Sequence, residues 1–173
     1  MDMTRTAQRA LAALDLTSLN EDDTPSVISA LCARAHTRFG SVAAVCVYPE
    51  HVALAREYLQ RGGGDVRVAT VVNFPDGAPD PARAERETRR AIAAGADEID
   101  VVFPWRALIG GDAAVGARVV SDCKAVLPAG ALLKVILETG ELKDPGLIRR
   151  AADIALAEGA DFLKTSTGKV PVN

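Results

Sequence analysis

Aromatic side chains are scarce in this sequence, with four Phe, two Tyr and one Trp among 173 residues. This scarcity disfavours an aromatic-rich β-sandwich and a surface that stacks nucleic-acid bases. Histidine and cysteine are also rare, with two and three residues respectively. Alanine, in contrast, occurs 31 times, and hydrophobic residues make up 49% of the chain. The mixture is typical of a soluble globular protein in which close-packed helices lie on strands of small residues.

The ionisable residues exclude several further classes of protein. The 20 basic and 23 acidic residues give a net charge of −3, so the sequence predicts no general attraction to nucleic acid or to an anionic membrane. Cys32, Cys46 and Cys123 are odd in number and form no C-x-x-C motif, which argues against a disulfide framework or a zinc site. With only two histidines, we expect no metal site built from protein ligands.

Long apolar runs are missing as well. No segment approaches the ~18 apolar residues of a membrane-spanning helix. Residues 1–20 lack the apolar core of a signal peptide, and we therefore expect a reduced, cytoplasmic compartment. A chain of 173 residues is long enough for one sizeable core, so we expect a single domain over residues 1–173.

Short apolar runs alternate with longer, alanine-rich amphipathic stretches along the chain. The predicted strands are 13–17, 42–48, 66–72, 98–103, 132–138 and 161–165. The predicted helices are 24–39, 51–61, 81–94, 112–126 and 144–158. Asp80-Pro81 and Asp144-Pro145 place a capping side chain before a proline, which is typical of a helix start. This alternation predicts an α/β fold with parallel strands and right-handed crossovers.

Two α/β architectures fit this order, a doubly wound sheet and an eight-stranded barrel. Because successive side chains alternate between the faces of a strand, three consecutive strands present ionisable groups on one face. These groups are Glu98, Asp100, Lys134, Glu138 and Lys164. That face suits a barrel lumen better than a sheet covered by helices on both sides, and no G-x-G-x-x-G follows the first strand. We predict the TIM (β/α)8 barrel family. Strands recur about every 29 residues, and eight such units need about 235 residues, so the chain holds about six of the eight strand–helix units.

A weak internal repeat favours a repetitive architecture. Residues 91–97, AIAAGAD, precede the fourth strand and resemble residues 155–161, ALAEGAD, before the sixth. The offset of 64 residues corresponds to two strand–helix units. Reuse of one turn chemistry at helix-to-strand connections explains the same similarity.

Lys164 lies among apolar residues in the sixth predicted strand. A buried ammonium is costly unless it is paired, hydrated or deprotonated. A neutral amine is a nucleophile toward carbonyl groups, and the Schiff base that it forms is an electron sink for C–C cleavage. A lysine that extends to solvent from a strand end is the alternative. The residues alone leave both interpretations open.

The segment that follows Lys164 combines hydroxyl groups with Gly168 and Lys169. Backbone N–H groups of such a turn, together with an ammonium, can hold a phosphate at the C-terminal mouth of a barrel. The segment is not a Walker A motif, because Leu163 occupies the position of the first glycine. An ordinary polar loop is the alternative interpretation.

Three segments together resemble deoxyribose-phosphate aldolase: ADEIDVVFP at 96–104, LKVILETGEL at 133–142 and KTSTGK at 164–169. Shorter matches are DLT at 15–17, AVCVYP at 44–49 and VNFP at 72–75. The resemblance implies a TIM barrel that reversibly cleaves 2-deoxy-D-ribose 5-phosphate to acetaldehyde and D-glyceraldehyde 3-phosphate. It implies no metal and no organic cofactor. The expected partners are therefore small molecules, a sugar phosphate and aldehydes.

The resemblance also assigns expected roles by position. Lys164 matches the Schiff-base lysine, and Asp100 matches the acid/base carboxylate, which acts through water. Part of the phosphate-binding loop matches Thr167, Gly168 and Lys169. Positions that line or border the pocket match Asp15, Thr17, Cys46 and Lys134. For Cys46, the sequence itself favours a small buried thiol.

The sequence departs from the family in one respect. The family's second catalytic lysine lies in a GFKPAGG segment on the seventh strand, and no such segment occurs before Asn173. A lysine with a pKa of ~10.4 is under about 0.1% neutral at pH 7, and a nearby second ammonium increases that fraction. We expect the family chemistry from a longer chain and little or none from these residues alone, with Lys134 supplying part of the repulsion.

Two alternatives to this function remain at the level of sequence. One is a non-catalytic, truncated barrel scaffold with a partial phosphate site. The other is a Schiff-base aldolase that acts on a different substrate. Because an incomplete barrel leaves strand edges unpaired, we also expect a homodimer.

Overall fold

The computed structural model describes residues 3–170 and contains the predicted alternation of strands and helices. The strands in this range are β1 (Asp15–Thr17), β2 (His36–Thr37), β3 (Gly40–Ser41), β4 (Ala44–Val47), β5 (Arg67–Val72), β6 (Glu98–Val102), β7 (Leu132–Ile136) and β8 (Phe162–Lys164). The α-helices are α1 (Met3–Leu11), α2 (Pro25–Ala33), α3 (Val52–Arg61), α4 (Pro81–Ala93), α5 (Trp105–Ile109), α6 (Ala113–Ala125), α7 (Thr139–Leu142) and α8 (Pro145–Ala157). A 3-10 turn covers Pro49–His51. All six predicted strands are confirmed, each within two residues at its ends.

The described chain divides into two compact units. Unit 1 contains the residues up to Thr70 together with Ala93–Asp97. Unit 2 contains Val71–Ile92 and the residues from Glu98 onward. A single domain over residues 1–173 stays a prediction.

In unit 1, β4 forms parallel pairs with β1 and with the first part of β5. Asp15 of β1 lies opposite Ala44 of β4, and Thr17 lies opposite Cys46. On its other edge β4 pairs with β5, where Cys46 lies opposite Ala69. Every residue of β4 is buried, as expected for a parallel strand that is covered on both faces.

The predicted helix over 24–39 is wrong in its second half, because α2 ends at Ala33. The following residues form the antiparallel pair β2–β3, with His36 opposite Ser41 and Thr37 opposite Gly40. Gly40 has a φ of +127°, which residues with a side chain rarely adopt. Thr37 Oγ1 donates a hydrogen bond to Gly40 O at 2.8 Å. A glycine-dependent tight turn therefore replaces the last turns of the predicted helix.

In unit 2, β7 lies between β6 and β8, and all three strands are parallel. Asp100 of β6 lies opposite Lys134 of β7, and Ile136 lies opposite Lys164 of β8. Residues opposite one another in a parallel pair point to the same face. This register therefore confirms the predicted sharing of one face by the ionisable residues of the three strands.

Helix α6 approaches the end of β6 closely at Gly116. The ring of Phe103 is fully buried, and a Cβ added to Gly116 would lie 2.3 Å from its Cζ atom. No real Cβ contact is that short, so only glycine fits at this position of the helix. The backbone of α6 lies directly on the aromatic ring as a result.

The repeated segments AIAAGAD and ALAEGAD perform the same structural task. In unit 1, Asp97 N–H donates to Val68 O, and Val68 N–H donates to Asp97 Oδ2, both at 2.8 Å. In unit 2, Asp161 and Leu133 exchange the corresponding two bonds, also at 2.8 Å. Each aspartate therefore bonds to both the N–H and the carbonyl group of one strand residue, Val68 or Leu133.

A basic side chain completes each of these two connections. Arg56 of α3 forms an ion pair with Asp97, and Lys124 Nζ of α6 lies 2.6 Å from Asp161 Oδ2. The carboxylate in each copy thus accepts hydrogen bonds from a backbone amide and a cation. The sequence repeat reflects one helix-to-strand connection that the fold uses twice.

Candidate active site

Four ionisable side chains form a connected cluster on β6, β7 and β8 of unit 2. Lys164 Nζ lies 2.5 Å from Asp100 Oδ2. The other carboxylate oxygen, Asp100 Oδ1, lies 3.1 Å from Lys134 Nζ, which in turn lies 2.7 Å from Glu98 Oε2. The structure thus brings together Lys164, Asp100 and Lys134, as the alternating pattern of the strands predicts. Their catalytic roles stay predictions.

Exposure to solvent differs along the cluster. The side chain of Asp100 is 1% exposed, and those of Lys134 and Glu98 are each 7% exposed. The side chain of Lys164 is 30% exposed. A small molecule therefore reaches the cluster most directly at the Lys164 amine. The other three charged groups are shielded from water, so their burial is favourable only because each contacts a group of opposite charge.

Asp100 lies between two ammonium groups, and the four charges of the cluster cancel. Lys134 contacts the Oδ1 atom of Asp100, and Lys164 contacts the Oδ2 atom. The positive charge of Lys134 weakens the net attraction between the Asp100 carboxylate and the Lys164 ammonium. The arrangement can thus move a proton between an amine and a carboxylate. Within residues 3–170, no group of three or more His, Cys, Asp or Glu side chains is placed to hold a metal ion.

The residues beyond β8 form a turn at the carboxyl end of the strand. Thr167 is buried, whereas Gly168 and Lys169 are exposed. Lys169 N–H donates to Thr167 Oγ1 at 3.1 Å. Gly168 has a φ of +74°, and an added Cβ would meet no atom within 4 Å, so the backbone conformation and not a lack of space requires glycine here. The exposed part of this turn offers backbone groups and an ammonium to an anion.

Glu138 and Glu98 belong to this region although the sequence analysis assigns them no role. Glu138 follows β7, is 3% exposed, and has a left-handed backbone with φ 55° and ψ 59°. Both of its carboxylate oxygens accept the Thr167 N–H, each at 3.2 Å. Alternation along β6 places Glu98 on the polar face, whereas Glu138 lies beyond the end of β7. No sequence pattern reveals the left-handed backbone or the reach to Thr167.

The other predicted pocket residues lie in unit 1. Asp15 and Thr17 are on β1, and Cys46 is opposite Thr17 on β4. Thr17 is exposed and its Oγ1 donates to Asp15 O at 3.1 Å. Cys46 is 1% exposed, which agrees with the small buried thiol that the sequence favours. The part that these three residues play in a substrate pocket stays a prediction.

A parallel α/β fold with a lysine–carboxylate cluster on its strands is the arrangement expected of a barrel aldolase. Residues 9–173 match the profile of the DeoC/LacD family aldolases. The chain belongs to this family.

Solved structures of similar proteins agree with this assignment. A protein from Coccidioides immitis assigned as a deoxyribose-phosphate aldolase is 33% identical over 95% of this chain, with a TM-score of 0.84. A protein from Toxoplasma gondii with the same assignment is 31% identical over 98% of the chain, with a TM-score of 0.88. The deoxyribose phosphate aldolase of Aeropyrum pernix, described as tetrameric, is 28% identical over 94% of the chain, with a TM-score of 0.78.

These similarities confirm the predicted fold class. The chain has the α/β fold of the TIM-barrel aldolases, with about six strand–helix units present. It spans 62% of the Coccidioides immitis protein and 64% of the Toxoplasma gondii protein, which is less than two thirds of either length.

Proposed function

We propose that the protein cleaves 2-deoxy-D-ribose 5-phosphate reversibly to acetaldehyde and D-glyceraldehyde 3-phosphate through a Schiff base on Lys164. The observation that carries this proposal is the contact of Lys164 Nζ with Asp100 Oδ2 at 2.5 Å. A partly accessible amine beside a buried carboxylate supplies both the nucleophile and the acid/base group that aldol cleavage needs.

The reaction begins at the aldehyde carbon of the open-chain sugar. The neutral Lys164 amine adds to this carbon, and loss of water with uptake of one proton from solvent gives a protonated imine. Asp100, acting through water, removes the proton of the C3 hydroxyl. The C2–C3 bond breaks, its electron pair moves toward the imine nitrogen to give an enamine, and glyceraldehyde 3-phosphate leaves.

The second half of the reaction regenerates the enzyme. A proton returns through Asp100 and water to the enamine carbon, which restores the imine. Addition of water then releases acetaldehyde, the neutral Lys164 amine and the proton taken up when the imine formed. No redox change occurs and every proton removed is returned, so the cycle needs no oxidant or reductant.

The phosphate group of the substrate is proposed to lie at the turn after β8. Gly168 and Lys169 are exposed there, and a left-handed glycine beside an ammonium suits an anion. The GFKPAGG segment that carries the second lysine in the family does not occur in these 173 residues. Complete cleavage by this chain alone is therefore expected to be slow. Lys134, whose Nζ lies 3.1 Å from Asp100 Oδ1, supplies a second ammonium beside the Asp100–Lys164 pair.

Exchange of the methyl protons of acetaldehyde in D2O tests the half-reaction at Lys164 without the phosphate site. Imine and enamine formation on the chain exchanges these protons for deuterium, which NMR follows directly. We expect Lys164→Met to abolish the exchange, Asp100→Asn to slow it about 100-fold or more, and Lys124→Met to leave it unchanged. Equal exchange by the unsubstituted chain and by Lys164→Met would contradict the proposal.

Compartment and assembly are also part of the proposal. In the described part of the chain no helix has the length and apolar character to cross a membrane. The three cysteines are buried thiols, which supports a reduced, cytoplasmic location. We propose a homodimer, and sedimentation of the purified chain tests it.

A further inference from the structure

Glu138 combines two features that are each unfavourable in a folded protein. Its backbone has φ 55° and ψ 59°, a left-handed conformation that residues with a Cβ atom disfavour. Its carboxylate is buried at the end of β7, with the residue 3% exposed. Such features persist where the surrounding interactions determine them, and they concentrate at functional sites.

The connection after β7 binds the end of β8 through consecutive residues. Leu137 N–H donates to Lys164 O at 2.9 Å, and Thr139 N–H donates to Thr165 O at 2.8 Å. In a regular parallel ladder both strands advance by two residues between successive bonds. Here the accepting residue advances by only one position, from Lys164 to Thr165. The left-handed Glu138 therefore marks the point where regular pairing stops and the turn begins.

The Glu138 carboxylate controls the next residues of that turn. Both of its oxygens accept the Thr167 N–H at 3.2 Å. Thr167 Oγ1 then accepts the Lys169 N–H at 3.1 Å, and Gly168 lies between the two. One buried carboxylate thus fixes Thr167, and Thr167 fixes the exposed residues after it.

We propose that Glu138 is a positioning residue that holds the turn after β8 in the conformation that binds the substrate phosphate. The inference rests on the proposed function for its effect on catalysis. Because the Thr167 N–H bonds to Glu138 and the Lys169 N–H bonds to Thr167 Oγ1, the phosphate is bound by Gly168 and by the side chain of Lys169. Glu138 itself does not touch the substrate.

Amide hydrogen exchange at Thr167 tests the positioning directly and needs no turnover. We expect Glu138→Ala and Glu138→Gly to speed exchange of the Thr167 amide about 10-fold or more, the loss expected for a hydrogen bond to a charged acceptor. Glu138→Gly relieves the left-handed strain, so faster exchange in both variants assigns the effect to the carboxylate. Glu138→Gln keeps an acceptor oxygen and is expected to stay within about 3-fold of the unsubstituted chain.

Glu141→Gln is the matched control, because Glu141 is on the same connection. Glu141→Gln should leave the hydrogen-exchange rate of the Thr167 amide unchanged. Unchanged Thr167 exchange in both Glu138→Ala and Glu138→Gly would overturn the proposal.

Kinetics separate positioning from a merely structural role. For Glu138→Ala we expect KM for 2-deoxy-D-ribose 5-phosphate to rise about 10-fold, while kcat/KM for unphosphorylated 2-deoxy-D-ribose stays within about 3-fold. An equal loss with both substrates, or an unchanged KM for the phosphorylated one, would overturn the phosphate role. Absence of turnover in the unsubstituted protein would contradict the proposed function instead, and Thr167 exchange would still decide the role of Glu138.

Discussion

At the scale of single residues, Lys134 is the cation on which two buried carboxylates depend. Its Nζ lies 2.7 Å from Glu98 Oε2 and 3.1 Å from Asp100 Oδ1. Lys134→Met keeps most of the side-chain volume but leaves Glu98 without this cation. Loss of one partner from a buried ion pair costs about 3–5 kcal/mol. Urea denaturation should therefore show a fall of about 3 kcal/mol or more in the free energy of unfolding.

Two further variants control this prediction. Arg149→Met removes an exposed ion pair with Asp153 and should cost under about 0.5 kcal/mol. Adding Glu98→Gln to Lys134→Met removes the buried negative charge that Lys134 neutralises, so the double variant should be more stable than Lys134→Met alone. Equal stabilities of Lys134→Met and Arg149→Met would show that the cluster is not a buried network.

Asp161 is expected to make the free energy of unfolding depend on pH below about pH 4. Burial acts to raise its pKa, but hydrogen bonds from the Leu133 amide and from Lys124 outweigh this effect and hold the pKa below the ordinary 3.8. A carboxylate with a depressed pKa contributes stability that is fully present above about pH 4 and is lost as pH falls through the folded-state pKa. The stability difference between the unsubstituted chain and Asp161→Asn should therefore shrink below about pH 4.

Urea denaturation between pH 7 and pH 3 measures this difference. Asp153→Asn is the control, because Asp153 belongs to an exposed pair with Arg149 and should change little at any pH. A difference for Asp161→Asn that stays constant, or grows, as the pH falls would contradict the assignment.

At the scale of elements, the approach of α6 to Phe103 depends on Gly116. In most helices Gly→Ala stabilises by about 1 kcal/mol, but an added Cβ would lie 2.3 Å from the Phe103 ring here. We expect Gly116→Ala to lower the free energy of unfolding by about 1–3 kcal/mol, as overpacking does. Gly140→Ala in α7 is the control, because its added Cβ meets no atom within 4 Å. A melting temperature of Gly116→Ala that equals or exceeds that of Gly140→Ala would refute the close approach of α6 to Phe103.

The elements that can be predicted from the sequence are those with a strong local signal. Apolar strands flanked by capped helices are predicted within two residues of their observed ends. The pair β2–β3 escapes prediction because its two-residue strands carry no periodicity, and because the positive φ of Gly40 is a property of the turn. Alternation of side chains along the strands is sufficient to place Asp100, Lys134 and Lys164 on one face.

Features that depend on long-range contacts cannot be predicted in this way. The left-handed backbone of Glu138 occurs together with a contact to Thr167, 29 residues further along the chain. The ion pair between Glu98 and Lys134 requires the register of β6 and β7, which sequence alone does not fix. The internal repeat is visible in the sequence, but the hydrogen bonds of Asp97 and Asp161 are needed to explain it.

At the scale of the whole molecule, this member of the DeoC/LacD aldolase family holds its lysine–carboxylate cluster within unit 2. The chain spans 62% and 64% of two of its structural neighbours. Unit 2 nevertheless holds the proposed nucleophile, its acid/base partner and part of the proposed phosphate turn. The chemistry at Lys164 can therefore be tested on this chain by itself.

Borohydride reduction in the presence of acetaldehyde tests the central claim most directly. Reduction converts an imine into a stable secondary amine, and peptide mapping by mass spectrometry then locates the modified lysine. We predict an adduct at Lys164 that is lost in Lys164→Met and reduced in Asp100→Asn. Absence of an adduct, or equal labelling of Lys124, Lys143 and Lys164, would contradict the assignment of Lys164 as the nucleophile.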